Sequence, residues 1–383
     1  MSVTLSTARG AVRAACRQAS SSSTQFLPKG SRAPLYSRLD NRSLMRVQGL
    51  DALPFLQGLV TADTSVLARD GRHAQYALML GADGRVVADL LLYKVGGDPA
   101  DVLVDVDRAL YPRLAETLLR RRLRRRLDLT CCDDELSVVA AYPRPRPDRF
   151  GRPASERVEV SGASVFGPNW ESTVSVTDPR LSELGSRLIV PRGHAIDDWA
   201  LELMFEENAP TPTRHYDETR YFFGVPEGPV DMPSGKALPL QCNADYLNGV
   251  SFHKGCYVGQ ELTARTHHTG VVRKRLMPLR LVDREQCAKF AELPADTKLF
   301  ARLGDDDSDE PVLVGKFRAA AGAFGIALLQ VDIAAKCVTA GKPVFASLDG
   351  GERLELTTAV PFWWPPSELT GAVRGFVDED RRA

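Results

Sequence analysis

The chain has 383 residues, 44% of them hydrophobic, which is enough for two or three domains with buried cores. Its 49 basic and 49 acidic side chains cancel, so no global field draws the molecule to nucleic acid or an anionic surface. No apolar run approaches the roughly 18 residues of a membrane span. The seven cysteines (Cys16, Cys131, Cys132, Cys242, Cys256, Cys287 and Cys337) are scattered without a C-x-x-C pair, which fits a reducing compartment and argues against a zinc ribbon or a self-contained cluster site.

No acidic residue precedes Asp40, whereas Arg9, Arg13, Arg17, Lys29, Arg32, Arg38 and a serine run at 20–23 do. On a helix the first three arginines form one basic stripe, and the composition predicts a mitochondrial transit peptide over residues 1–35. Residues 44–49 predict a strand and turn. Asp51 is the expected N-cap of a helix whose apolar face is Phe55, Leu56 and Leu59 and which ends at Gly58. Residues 76–80 and 86–93 predict strands joined by Gly81-Ala82-Asp83-Gly84, a hairpin turn, and 102–106 a third strand. Residues 111–127 predict a helix, with Leu119, Leu123 and Leu127 at four-residue spacing as its core-facing stripe. That helix also carries Arg120, Arg121, Arg122, Arg124, Arg125 and Arg126. Such a run either grips RNA phosphates or an acidic partner, or is a solvated helix end. The leucine stripe and the lack of interleaved aromatics favour the solvated end.

Residues 141–155 are rich in Pro and Arg and predict a loop. A strand is expected at 188–190 and helices at 197–208 and 214–223, the second ending at Gly224. A Pro- and Gly-rich span over 226–239 follows. Beyond Arg275, short strands at 276–282, 298–303, 311–317, 325–329 and 343–346 predict a small antiparallel barrel. The acidic stretch 305–310 lacks the EF-hand spacing and reads as a solvated hairpin loop.

The segment 252–261, Phe-His-Lys-Gly-Cys-Tyr-Val-Gly-Gln-Glu, is the one that ordinary folding accounts for least. Gly255 and Gly259 bracket Cys256, so the backbone can turn or be approached closely on either side of the thiol. Lys254 lies two residues away, on the same face of an extended segment, where a cation favours the thiolate that binds metals. Two kinds of ligand fit: a soft metal taking Cys256 as one ligand, or a polar bicyclic cofactor. The cofactor would meet Gln241, Asn243, Gln260 and Glu261, its anionic tail held by Arg265, Arg273, Lys274 and Arg275. His267 and His268, read as strand neighbours, face opposite ways and lack a further histidine at ligand spacing, so zinc is not expected.

Lys254 to Glu261 (KGCYVGQE) resembles the K-G-C-[FY]-x-G-Q-E signature of the YgfZ-type folate-binding proteins, relatives of the glycine cleavage aminomethyltransferase. Weaker matches at 47–63, 80–93 and 315–329 extend the resemblance over most of the body. It implies an α+β, three-domain aminomethyltransferase-like fold. Two interleaved α+β domains over 36–275 surround a central channel, a C-terminal antiparallel β-barrel spans 276–372, and 373–383 form a tail. With a transit peptide, the resemblance is to the mitochondrial iron–sulfur cluster assembly branch of that family. This implies that Cys256 ligates a transient [2Fe–2S] or [4Fe–4S] cluster shared with an A-type iron–sulfur carrier in the matrix, with Lys254 favouring its thiolate. It also implies a tetrahydrofolate-sized site at Gln241, Asn243, Tyr257, Gln260, Glu261, Arg265 and Arg273. Where the transferases carry an acidic pair this chain has Ala88-Asp89, and Gln241 stands where they read the pterin with a glutamate. A glutamine offers fewer acceptors than a carboxylate, so the cavity is expected to persist without aminomethyl transfer. The alternative is a folate-dependent one-carbon or aminomethyl transferase in which Asp89 acts near the reacting carbon.

Overall fold

The computed structural model describes residues 34–69, 71–96, 98–152, 174–192, 210–304 and 310–365. The expected transit peptide, the helix expected at 197–208 and most of the acidic loop at 305–310 lie outside them.

β1 (Leu35–Arg38) opens a four-stranded sheet that the chain leaves at once. β2 (Arg42–Gln48), β3 (Ala74–Leu80), β4 (Val86–Val95), β5 (Asp98–Asp107) and β6 (Asp128–Cys131) form a five-stranded antiparallel sheet in the order β3-β4-β5-β2-β6. The chain then returns to the first sheet through β7 (Leu136–Tyr142), β8 (Val174–Thr177) and β9 (Ser186–Pro191), in the order β1-β7-β9-β8. The two sheets are therefore interleaved in sequence. β7 runs through Ala141 and Tyr142, which the proline pattern had placed in a loop.

Every residue of β4 is buried, because the five-stranded sheet is covered on both faces. One face shares a core with Val138, Ile189 and Tyr216 through Leu78, Leu91 and Leu103. The other packs Ala77, Leu90 and Val104 on α1 (Ala52–Gln57) and α2 (Tyr111–Arg122) through Leu56, Leu114 and Leu118. A strand covered on two sides reads as a continuous apolar run rather than an alternation. Asp51 stands at the head of α1, but its carboxylate makes no cap bond there and accepts the Arg126 N–H at 2.8 Å.

α2 departs from the sequence expectation. It ends at Arg122, with Leu123 at φ +47°, and Leu119 and Leu123 face solvent, while Leu127 is buried beyond the helix end. The core stripe is Leu114 and Leu118.

α3 (Thr213–Phe223) ends as expected at Gly224, whose φ of +73° is the left-handed stop that glycine accepts most readily. It packs its aromatic end against Phe324, with the Phe222 and Phe324 ring centroids 5.2 Å apart. The one-turn α4 (Gly228–Asp231) and then α5 (Gln260–Thr269) follow. β10 (Lys274–Leu281), β11 (Lys298–Ala301), β12 (Val312–Ala321), β13 (Phe324–Gln330), β14 (Val344–Ser347) and β15 (Arg353–Thr358) close a barrel in the order β10-β13-β12-β11-β14-β15. α6 (Cys287–Glu292) and α7 (Val331–Ala340) accompany it, and Phe290, Ala334 and Ala335 join its core. The sixth strand and both helices go beyond the sequence expectation. Among the described residues no helix is long and apolar enough to cross a membrane.

Candidate functional site

The loop before α5 is held at both ends and open in the middle. Ser251 N–H donates to Thr61 O at 3.0 Å, and Val258 N–H to Gly58 O at 3.2 Å, so the loop is stitched to the turn after α1. Tyr257 is buried in the inter-sheet core, and Val258 packs against the core beneath α1. Gln260 closes the turn by accepting the Tyr257 N–H on Oε1 at 3.2 Å. Gly259 has φ +77°, and a Cβ there would run into the Gly81 carbonyl. Here glycine is required twice over, by backbone conformation and by close approach. Between these anchors His253, Gly255 and Cys256 are exposed. Of the other described cysteines, Cys132, Cys242 and Cys337 are buried, and burial pushes the Cys242 thiol up to about 12.

Lys254 corrects an expectation. Its Nζ donates to Gln57 O, Val60 O and Ala62 O at 2.6, 2.8 and 2.8 Å. An ammonium has three donors, and all three are committed to the turn after α1. Burial pushes this ammonium down to about 8, with Asp63 pulling the other way. Lys254 thus clamps the loop onto the N-terminal half of the body, and none of its three donors is left for the Cys256 thiol.

The residues expected to hold a folate do not converge. Gln241 and Arg273 line a cleft of about 620 Å³ together with Leu238, Leu262, Thr266 and Lys274. Asn243 is buried, its Nδ2 donating to Leu276 O at 2.7 Å. Arg275 is also buried, its guanidinium forked onto Asp245 with two bonds of 2.9 Å. Tyr257 and Gln260 complete the loop itself, while Glu261 and Arg265 point to solvent on α5. The donor set is dispersed and does not fit a single pterin. His267 and His268 stand on the last turns of α5, a helix and not a strand, with His267 stacked face to face on Phe252 at 3.6 Å. Among the described residues no three of His, Cys, Asp and Glu gather as a metal site.

Asp89, the acid of the transferase alternative, belongs to a buried ionic core. Its carboxylate accepts from Gly228 N–H at 3.1 Å and Arg42 Nη1 at 3.4 Å, and the residue is 2% exposed. Arg42 Nε also donates to Asp105 at 2.6 Å, which in turn takes the Tyr93 hydroxyl at 3.0 Å. Arg180 spans Asp178 and Glu227 at 2.7 Å each, and Arg187 pairs with Glu227 and with the Tyr216 hydroxyl. Burial pushes the Glu227 carboxyl up, but Arg187, Arg180 and Arg42 outweigh it and hold the group well below the usual carboxylate range. At Asp105 burial wins and the carboxyl is raised despite Arg42. Apart from Asp89, sequence reasoning missed this core. The available signal was an acid inside an apolar strand, as in Val-Leu-Val-Asp-Val at 102–106, where a charge must find a partner.

A family model described as "CAF17, C-terminal beta-barrel domain" matches residues 273–366. The chain is similar to the "Iron-sulfur cluster assembly factor IBA57, mitochondrial" of Homo sapiens, 36% identical over 344 residues, covering 86% of this chain and 85% of that protein. Its Mus musculus counterpart is 34% identical over 346 residues, with the same coverage of 86% and 85%. Among solved structures, the glycine cleavage system aminomethyltransferase T from Bartonella henselae superposes with a TM-score of 0.61 at 16% identity, covering 87% of each chain. That likeness establishes an aminomethyltransferase-like fold and nothing of the chemistry. An interleaved pair of sheets, a closed six-stranded barrel and a thiol-bearing loop stitched to the turn after α1 thus accompany identity over most of the length, and the chain belongs to the IBA57 family of mitochondrial iron–sulfur cluster assembly factors.

Proposed function

We propose that the chain is an assembly factor of the mitochondrial matrix for late-stage maturation of [4Fe–4S] proteins. In this reading Cys256 lends its thiolate to a [2Fe–2S] or [4Fe–4S] cluster, the cargo, shared transiently with an A-type iron–sulfur carrier. The observation that carries it is the exposure of Cys256 on a loop anchored on both sides. Anchoring sets where the thiol stands before a partner arrives, which lowers the ordering cost of binding. Exposed Gly255 beside it leaves room for another backbone to approach.

The test is titration of a cluster-loaded A-type carrier with the protein, read by visible circular dichroism. The wild-type chain is expected to produce a new spectrum at equimolar mixing and Cys256→Ser to leave the carrier spectrum unchanged. An identical spectrum from Cys256→Ser overturns the ligand role. Tetrahydrofolate stands outside this proposal, because the expected donors are dispersed and Asp89 is already paired with Arg42 and Gly228.

A further inference from the structure

Beyond cluster delivery, we propose that the arginine run at the end of α2 and its exposed leucines form a docking surface for an anionic lipid bilayer. A core-facing stripe that includes Leu119 and Leu123 is one ground for expecting a solvated helix end here. The structure places them outside: Leu123 is 83% and Leu119 56% exposed. Leu50, 72% exposed, lies on the turn latched to the end of the run through Asp51 N–H to Arg126 O and Arg126 N–H to Asp51 Oδ2. Around these leucines Arg120, Arg121, Arg124, Arg125 and Arg126 are exposed and Arg122 is half-buried. Arg120 pairs with Glu116 at 3.6 Å and Arg126 with Asp51 at 3.5 Å. Arg121, Arg122 and Arg124 form no ion pair with a carboxylate among the described residues, and Arg125 adds only a longer-range attraction to the Asp51 carboxylate that Arg126 already pairs.

Favourable placement at the negative end of a helix dipole accounts for cations in the last turn. It does not account for three large apolar side chains held in water among them. Nucleic acid would reward the arginines but leave the leucines wet, and no aromatic side chain interleaves to stack on bases. A folded acidic partner offers no hydrocarbon for three protruding leucines unless it carries a matching groove. A bilayer with anionic headgroups satisfies both: leucines enter the acyl boundary while arginines bond the lipid phosphates above them. Neutral net charge over the whole chain does not oppose this, because screening confines each charge to about 10 Å.

The experiment is co-sedimentation of the full chain with sucrose-loaded vesicles, either of phosphatidylcholine alone or of phosphatidylcholine and phosphatidylglycerol in equal parts. The first 33 residues carry arginines of their own, so the comparison is between full-length chains differing only at this patch. Wild type is expected to partition onto the anionic vesicles and not onto phosphatidylcholine. Leu119→Ser/Leu123→Ser should bind about tenfold more weakly per leucine. Arg121→Gln/Arg124→Gln/Arg125→Gln should lose about fivefold per arginine. All four leucine and arginine sites other than these stay unchanged, and matched unfolding curves confirm that the variants fold. Equal partition of wild type and both variants overturns the proposal. So does weakening by the arginine variant alone, which would reduce the contact to charge attraction and leave the exposed leucines without a role in it.

Discussion

Two regions of this molecule bring charged or reactive side chains together, and they do so on opposite terms. In the ionic core, Arg42, Arg180 and Arg187 meet Asp89, Asp105, Asp178 and Glu227 in full burial. Each charge there has partners within the chain, drawn from both sheets and from the segment before α4. In the loop at 252–261 the anchors are equally well satisfied, but the thiol they frame is exposed. The centre therefore commits its polar groups to holding two interleaved sheets together, and the loop leaves its thiol exposed.

Glu227→Gln should show the largest effect, since it leaves Arg180 and Arg187 short of a buried anion. The expected loss is about 3–5 kcal/mol at neutral pH by denaturant unfolding. Its sign with pH follows from the depressed carboxyl. The stability Glu227 contributes is present above the ordinary glutamate value of 4.5 and is lost as pH falls below it. The gap between wild type and Glu227→Gln should accordingly narrow in acid. A gap that stays constant would mean the carboxylate is not held by its arginines. If the two regions are separate, cluster uptake by the folded fraction of this variant should match wild type.

Gly259→Ala comes next, combining a left-handed backbone position with a collision at the Gly81 carbonyl. About 2–3 kcal/mol should be lost, and the loop should shift, weakening cluster uptake as well as stability. Lys254→Met removes three charge-assisted bonds and should cost about 2 kcal/mol. Its cluster spectrum should be recovered in Lys254→Arg only if a cation at that point is enough. Failure of both would show that the geometry of the three carbonyls is what matters.

Much of this was legible in local sequence. β3 and β4 with their Gly81 to Gly84 turn, α3 with its stop at Gly224, and five of the six barrel strands followed from apolar patterning and glycine punctuation. β1 did not, because a four-residue strand gains its identity from β7, paired through Leu35 with Tyr142 across the chain. α5 was missed because its buried face is little more than Thr263, too weak for a 3.6-residue signal. In the site, the motif marked Cys256 but not its exposure, which depends on contacts to residues near 58 and 81. Lys254 looked like a neighbour of the thiol because spacing along a chain shows which residues are close in sequence. It does not show which carbonyls a four-carbon stem will reach. The leucines of α2 were misplaced because four-residue spacing holds equally for a buried and an exposed stripe.

The smallest expected effect on stability carries the most weight. Cys131 and Cys256 are both exposed, one on an edge strand and the other on the anchored loop. Replacing either by serine should leave unfolding within about 0.5 kcal/mol of wild type. The decisive measurement is the visible circular dichroism of each variant titrated into a cluster-loaded A-type carrier. Cys131→Ser should reproduce the wild-type spectrum and Cys256→Ser should leave that of the carrier alone. If the two variants behave alike, the anchored loop does not present the ligand.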